Sequence, residues 1–254
     1  MNRSSLAALS VILFLTGCAE DEVSVEQPRL AMAVPAPIPE RVTEIGRSVE
    51  GRPIVMHTFG SGPHPVLILG GIHGSEKNSA DCAALLVEHL KLHPPVAPIA
   101  VIPAANPDGL ARGVRTNAHR VDLNRNFPTA NWTLSHYKGP YFGGPSAGSE
   151  PETQAYINIL NTLEPSRILS IHSIVGNTCN NYDGPAEPLA RLMSPLNGYP
   201  AKDTIGYPTP GSLGAWAGID RKIPMITLEL PHSLPAPESW DHNRNAILAF
   251  INGK

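Results

Sequence analysis

The sequence predicts an α/β fold: a single domain on a mixed, mostly parallel central sheet with helices on both faces. Three observations lead there. Short runs of unbroken apolar residues recur along the chain, and segments with apolar residues at helical spacing fall between them. That alternation is what a sheet covered on both faces by crossover helices requires. The length, 254 residues, suits one large core better than two.

Taken in order, Met1-Asn2-Arg3 carries one positive charge, Leu6 to Leu15 is apolar, and Leu15-Thr16-Gly17-Cys18 follows at once. This predicts an export signal over residues 1–17 with a small-residue cleavage site. The apolar run is too short for an ordinary membrane-spanning helix. The tetrapeptide is similar to the bacterial lipobox, which makes Cys18 the expected lipidation site and implies a membrane anchor. Ala19 rather than aspartate after it favours, by resemblance to Gram-negative sorting, an exported protein on the periplasmic side at the outer membrane. Residues 18–41 are polar, Pro-rich and non-periodic, as a tether is. Residues 42–254 are the expected domain.

Within the domain, Pro65 to Gly70 reads as a buried strand ending in Gly70-Gly71. Lys77 to Leu92 reads as a helix with Ala83, Leu86, Val87 and Leu90 on one face. Pro98 to Pro103 is the next strand. Ser149-Glu150-Pro151-Glu152 is a start signal for a helix from Pro151 to Leu163. Arg167 to Ile171 is a strand, Ser212 to Lys222 a helix, Pro224 to Leu230 a strand, and Glu238 to Ile251 a closing helix. Apolar content of 42% against 16% charged excludes a disordered chain. A net charge of −3 gives no basic field for nucleic acid. Beyond Cys18 there are Cys82 and Cys179, which exported surroundings would allow to pair and which are equally compatible with two separate buried thiols. A monomer is expected.

The residues with chemical potential share one placement. His73 and His172 each follow an apolar strand, and Glu229 stands at the end of another. Ligands of open α/β sheets bind at such carboxyl ends. His73-Gly74-Ser75-Glu76 lies in a loop entering a helix, where a curl would bring imidazole and carboxylate to one ion. A catalytic zinc takes three protein ligands, and His172 is the expected third, with one Zn2+ per chain. Val121 to Pro128 is dense in polar groups without any period. It is either a loop of turn-forming residues or a grip for a carboxylate, with the Arg125 fork and Asn124 beside it.

Several segments then stand in a telling order: His73-x-x-Glu76, Asn106-Pro107-Asp108-Gly109, Arg115-x-Asn117, Asp122-Leu-Asn124-Arg125-Asn126-Phe127, Ser149-Glu150-Pro151-Glu152-Thr153, His172 and Thr227-Leu-Glu229. Together they resemble the zinc carboxypeptidases of the carboxypeptidase A type, the M14 or funnelin family, and Gly46 to Ile54 is similar to that family's N-terminal segment. The resemblance spans about residues 42 to 250. It implies zinc on His73, Glu76 and His172, with Asp122 orienting the His73 ring. It implies Arg115 on the oxyanion, Asn124 and Arg125 on the substrate's terminal carboxylate, and Glu229 as general base. Tyr207 stands near the position of the family's active-site tyrosine.

One branch of the family, the bacterial murein peptide amidases, shares segments similar to Tyr207-Pro-Thr-Pro-Gly-Ser212 and Glu229-Leu-Pro231. That resemblance implies a peptide or muropeptide substrate and cleavage of the γ-D-glutamate–diaminopimelate bond in murein stem peptides. The chain departs from the digestive relatives at Ser75, where they carry arginine. Leu213 and Gly214 lie near the family's side-chain determinant, which argues against an acidic pocket for lysine. Two other readings are weighed. A zinc deacylase of N-acyl amino acids would share His-x-x-Glu and a later His, but not the Asp122–Phe127 stretch. A non-catalytic peptidoglycan-binding lipoprotein would not need Glu229.

Overall fold

The computed structural model describes residues 39–134 and 139–253. The export signal, Cys18 and nearly all of the tether lie outside the described residues. Eight strands form one sheet: β1 (Arg41–Arg47), β2 (Pro53–Phe59), β3 (Val66–Gly70), β4 (Ile99–Ile102), β5 (Arg167–Ile174), β6 (Cys179–Asp183), β7 (Ala201–Lys202) and β8 (Met225–Pro231). Their spatial order is β1-β2-β4-β3-β5-β8-β6-β7. The inner strands β4, β3, β5 and β8 are parallel, while β1 and β2 on one flank and β6 on the other run in antiparallel pairings. The sheet is therefore mixed, as expected.

The helices are α1 (Lys77–Leu92), α2 (Pro107–Arg112), α3 (Pro151–Leu163), α4 (Glu187–Asn197) and α5 (Ala236–Asn252). The inner strands read as unbroken apolar runs because alternate residues serve opposite cores. Val66, Ile68, Ile99, Val101, Leu169, Ile226 and Leu228 join residues of α1, α4 and α5 on one face. Leu67, Leu69, Ala100, Ile102, Ile168 and Met225 join α3 and Trp216 on the other. Each fully buried aliphatic side chain of this kind contributes about 1.5–3 kcal/mol.

Differences from the sequence expectations have physical reasons. The expected helix Ser212–Lys222 is a seven-residue π-helical segment, Gly214–Asp220. Its two glycines press on Asp183, where a Cβ on Gly214 would fall 2.3 Å from Oδ2 and one on Gly218 2.4 Å from the Asp183 Cβ. β5 runs on to Ile174, so His172 lies inside the strand rather than just beyond its end. Glu229 is likewise two residues inside β8. Strands β1, β2, β6 and β7 and helices α2 and α4 go unforeseen. β6 reads Cys-Asn-Asn-Tyr-Asp, with no apolar alternation. α4 carries Pro188 in its first turn and Pro195 in its interior, and Pro195 reads as a break. Glu40 packs with His57 at 2.5 Å, so the domain begins slightly ahead of residue 42. Cys82 and Cys179 are separate buried thiols, and burial pushes their pKa values up to about 12 and about 11.

Candidate metal centre

The loop from β3 to α1 is held tightly. Gly71 takes φ +68°, a left-handed conformation. Gly74 is seated so closely that a Cβ there would lie 1.9 Å from the Gly109 carbonyl carbon. Asn106 Nδ2 donates to the Ile72 carbonyl at 3.2 Å, bracing the residue before His73. The loop then curls, and Glu76 N donates to the His73 carbonyl at 3.1 Å. His73 Nδ1 comes to 2.7 Å from Glu76 Oε1. His172 Nδ1 lies 3.1 Å from Oε2 of the same carboxylate, which also accepts from Ser173 N at 3.0 Å. The two imidazoles meet edge to face with centroids 4.9 Å apart. All three side chains are buried, and their potential ligand atoms lie within 4.8 Å of one another.

The far side of the His73 ring sets its protonation. Nε2 is 3.0 Å from Asp122 Oδ1. An ionised carboxylate only accepts, so Nε2 carries a proton and Nδ1 is the nitrogen that faces Glu76. That contact needs a positive charge, supplied either by a proton on Nδ1 or by a metal ion in its place. Two imidazole nitrogens and one carboxylate form a donor set that zinc accepts, and the residues present fit that ion. Burial opposes charge on His73, but Glu76 and Asp122 outweigh it and hold its pKa up at about 9. Burial likewise opposes charge on Glu76, yet His73 and His172 keep its carboxyl well below the ordinary range. Asp122 is lowered too, against burial, by His73 and then by Arg115 and Arg125.

Glu229 reaches the same place through strand register. In the parallel pair β5–β8, His172 stands opposite Glu229, and partners in register share a face of the sheet. That face is apolar at Ile168 and Met225, then turns polar two and four residues on, at Ser170, His172, Thr227 and Glu229. Burial pushes the Glu229 carboxyl above its usual value, with His172 opposing and Glu76 adding to the rise.

Arg115 Nε donates to Asp122 Oδ2 at 2.9 Å, and Nη1 stands 3.6 Å from Glu76 Oε1. Asn124 Oδ1 accepts from Leu213 N at 2.9 Å, which leaves its Nδ2 for a ligand. Arg125 Nη1 donates to the Asn124 carbonyl at 2.6 Å. These three residues, Tyr207, Glu229 and the metal-binding group line one cavity of about 250 Å3. Tyr207 is 47% exposed. Other motif residues hold loops instead. Asp108 accepts from Ser48 Oγ at 2.7 Å and Glu50 N at 2.9 Å, and Asn117 Nδ2 donates to Glu150 at 2.7 Å and Glu152 at 3.0 Å.

Three residues of interest escape the sequence reading. Asp183 and Asn181 lie on β6, opposite Met225 and Thr227 of β8, and so share the face of Glu229. Both line the cavity. The Asp183 carboxylate has one weak donor, Asn181 Nδ2 at 3.4 Å, and burial raises its pKa to about 6. Asn181 Oδ1 is buried without a hydrogen-bond partner among the described residues. An acid therefore does stand beside Gly214, contrary to the argument from Leu213 and Gly214. It arrives from a strand that the sequence pattern hides. The third residue, Tyr141, presents its ring to two cations, with Arg115 Cζ 4.9 Å and Arg125 Cζ 5.9 Å from its centroid.

Comparison with known proteins bears on this arrangement. A family model for zinc carboxypeptidases, Peptidase M14, matches residues 32–187. Murein peptide amidase A of Escherichia coli K12 is 33% identical over 209 residues, covering 76% of this chain and 82% of that protein. The Vibrio campbellii protein of the same name is 34% identical over 227 residues, covering 82% and 86%. Among solved structures, the murein-tripeptide amidase of Escherichia coli O157 superposes with a TM-score of 0.67 at 28% identity, covering 89% of this chain and 95% of that one.

Proposed function

The chain belongs to the Peptidase M14 family of zinc carboxypeptidases and is a zinc-dependent hydrolase; from that premise we propose that it cleaves the γ-D-glutamate–diaminopimelate bond of murein stem peptides. The observation that carries this choice is the under-satisfied pair Asp183 and Asn181 in the cavity that also holds Glu229 and Arg125. A half-buried carboxylate with one weak donor and a buried amide oxygen with none are complementary to an ammonium group. Diaminopimelate offers a carboxylate on the carbon that bears the scissile nitrogen and, at the far end of its side chain, a second amine beside a second carboxylate; the amine is the group that Asp183 and Asn181 would take. The names of the amidase relatives support the same substrate class.

Zinc held by His73, Glu76 and His172 supplies a Lewis acid that activates water and polarises the scissile carbonyl. Glu229 takes the proton of the attacking water at its carboxylate and hands it to the leaving nitrogen, a role that its raised pKa suits. Arg115, its Nε fixed on Asp122, directs its remaining N–H groups at the developing oxyanion. Arg125 and the free Nδ2 of Asn124 hold the terminal carboxylate. Tyr207 touches the bound peptide from the rim. Asp122 keeps the His73 lone pair on the metal side.

The test is mass analysis of the digest when the zinc-loaded protein meets purified muropeptides, ordinary L-peptides and N-acyl amino acids. Release of diaminopimelate from the tripeptide, abolished by chelator, is the expected outcome. Turnover confined to L-peptides or to N-acyl amino acids overturns the bond assignment. We also infer that Cys18 carries lipid and that a single chain works from the periplasmic side of the outer membrane, next to this polymer. The support is the Arg3, Leu6–Leu15 and Leu-Thr-Gly-Cys18 pattern. Labelled palmitate should enter the wild-type chain, and its equal incorporation into Cys18→Ser would refute the anchor.

A further inference from the structure

A second cavity of about 780 Å3 shares Arg115 with the metal cavity. Its walls are Arg112 at the end of α2, the turn from Val114 to Arg120, and the segment Gly139, Pro140 and Phe142. Among the described residues its lining holds three arginines and His119 and no carboxylate. Neighbouring acids engage some of these groups from outside. Arg112 pairs with Glu50, His119 Nδ1 is 2.8 Å from Glu150, and Arg115 is tied to Asp122. Arg120 makes no ion pair among the described residues.

The turn bearing Arg120 is firmly built. Arg120 adopts φ +63°, a left-handed conformation that a non-glycine side chain holds only when its surroundings impose it. Here the imposition is visible. Arg120 N donates to the Asn117 carbonyl at 3.0 Å, and Asn117 N to the Val121 carbonyl at 3.0 Å. The Asn117 side chain is anchored on Glu150 and Glu152.

We propose that this cavity receives the acyl side of the substrate and that Arg120 reads a carboxylate there. The inference rests on the stem-peptide reading above. Arg125, Asn124 and Asp183 take the leaving side, so the scissile oxygen faces Arg115 and the acyl chain continues from that residue. Arg115 is the wall common to both cavities. A glutamate joined through its γ-carboxyl keeps a free α-carboxylate a few bonds from the scissile carbon. An α-linked peptide has none at that place. A guanidinium without an acid partner matches such a group in charge and shape, and the cavity thus distinguishes γ-linked from ordinary peptides.

Two measurements test this. First, KM and kcat are compared for L-Ala-γ-D-Glu-diaminopimelate and for its analogue with the glutamate α-carboxylate converted to a carboxamide. Amidation is expected to raise the wild-type KM about tenfold with little change in kcat, the scale of one charged hydrogen bond. In Arg120→Gln that ratio is expected to fall to near one. A wild type that treats the two alike, or an Arg120→Gln protein that still separates them, overturns the proposal. Second, calorimetry compares binding of the acyl fragments L-Ala-D-Glu and L-Ala-D-isoglutamine to the zinc-loaded protein. Carboxylate-dependent binding lost in Arg120→Gln, without stem-peptide turnover, would keep the subsite and remove the bond assignment. Stem-peptide turnover with no carboxylate dependence in either measurement would remove the subsite alone.

Discussion

At the scale of single residues, Asp183 shows how function opposes stability. Its pKa in the fold is raised to about 6 from 3.8, so between those values the folded chain holds a proton that the unfolded chain has lost. Stability therefore falls as pH rises through that window, and the penalty is complete above it. Asp183→Asn should stabilise the empty protein at neutral pH by about 2 kcal/mol, allowing for partial exposure, and by nothing below about pH 4. Denaturant unfolding at the two pH values checks this, and the same variant should lose affinity for diaminopimelate-containing peptides. Tyr141 bears on binding in another way, since its ring lies within cation–π reach of both guanidinium groups and favours their approach to one cavity. A cation–π contact at an exposed site is worth about 0.5–1 kcal/mol. Tyr141→Ala should raise KM severalfold at nearly constant kcat, and Tyr141→Phe should restore it; steady-state kinetics decides. His73, His172 and Glu229 were legible in the sequence because each follows or ends an apolar run, and Glu76 because it stands three residues after His73 and the chemistry needs a set. Asp183 was not, because its polar strand has no periodic signal. Nor was Tyr141, whose role exists only where distant arginines converge.

At the scale of elements, the centre depends on one tight loop and one register. The β3–α1 loop has no room at Gly74. Gly74→Ala must push the loop off Gly109, an overpacking of about 1–3 kcal/mol at the residue between both loop ligands. Zinc affinity should drop by at least about tenfold, measurable by competition with a chromophoric chelator. The β5–β8 register delivers His172 and Glu229 as a pair, and a slip of one residue would send Glu229 to the opposite core. The same economy explains what could be read beforehand. α1 carries a periodic face and α3 a clear start signal, and their ends were foreseen. β6 and α4 owe their form to burial against neighbours that only the folded chain supplies.

At the scale of the molecule, the inner strands announce the fold because both faces of the sheet are dry, while the antiparallel flanks are half-wet and silent. The metal joins parts remote in sequence, the loop after β3 and the far end of β5, and so should stabilise the whole. At zinc about a thousandfold above its dissociation constant the gain is about 4 kcal/mol, on the order of 10 °C in Tm for a domain of this size. Calorimetry before and after chelation would show it. The most direct measurement follows zinc binding and turnover together in chelator-stripped wild type, His172→Ala and Glu229→Gln. The account predicts one tightly bound zinc in the wild type and in Glu229→Gln, binding weakened at least about a hundredfold in His172→Ala, and peptide turnover restored by zinc in the wild type alone. Undiminished turnover in Glu229→Gln, or zinc binding indifferent to His172, would contradict it.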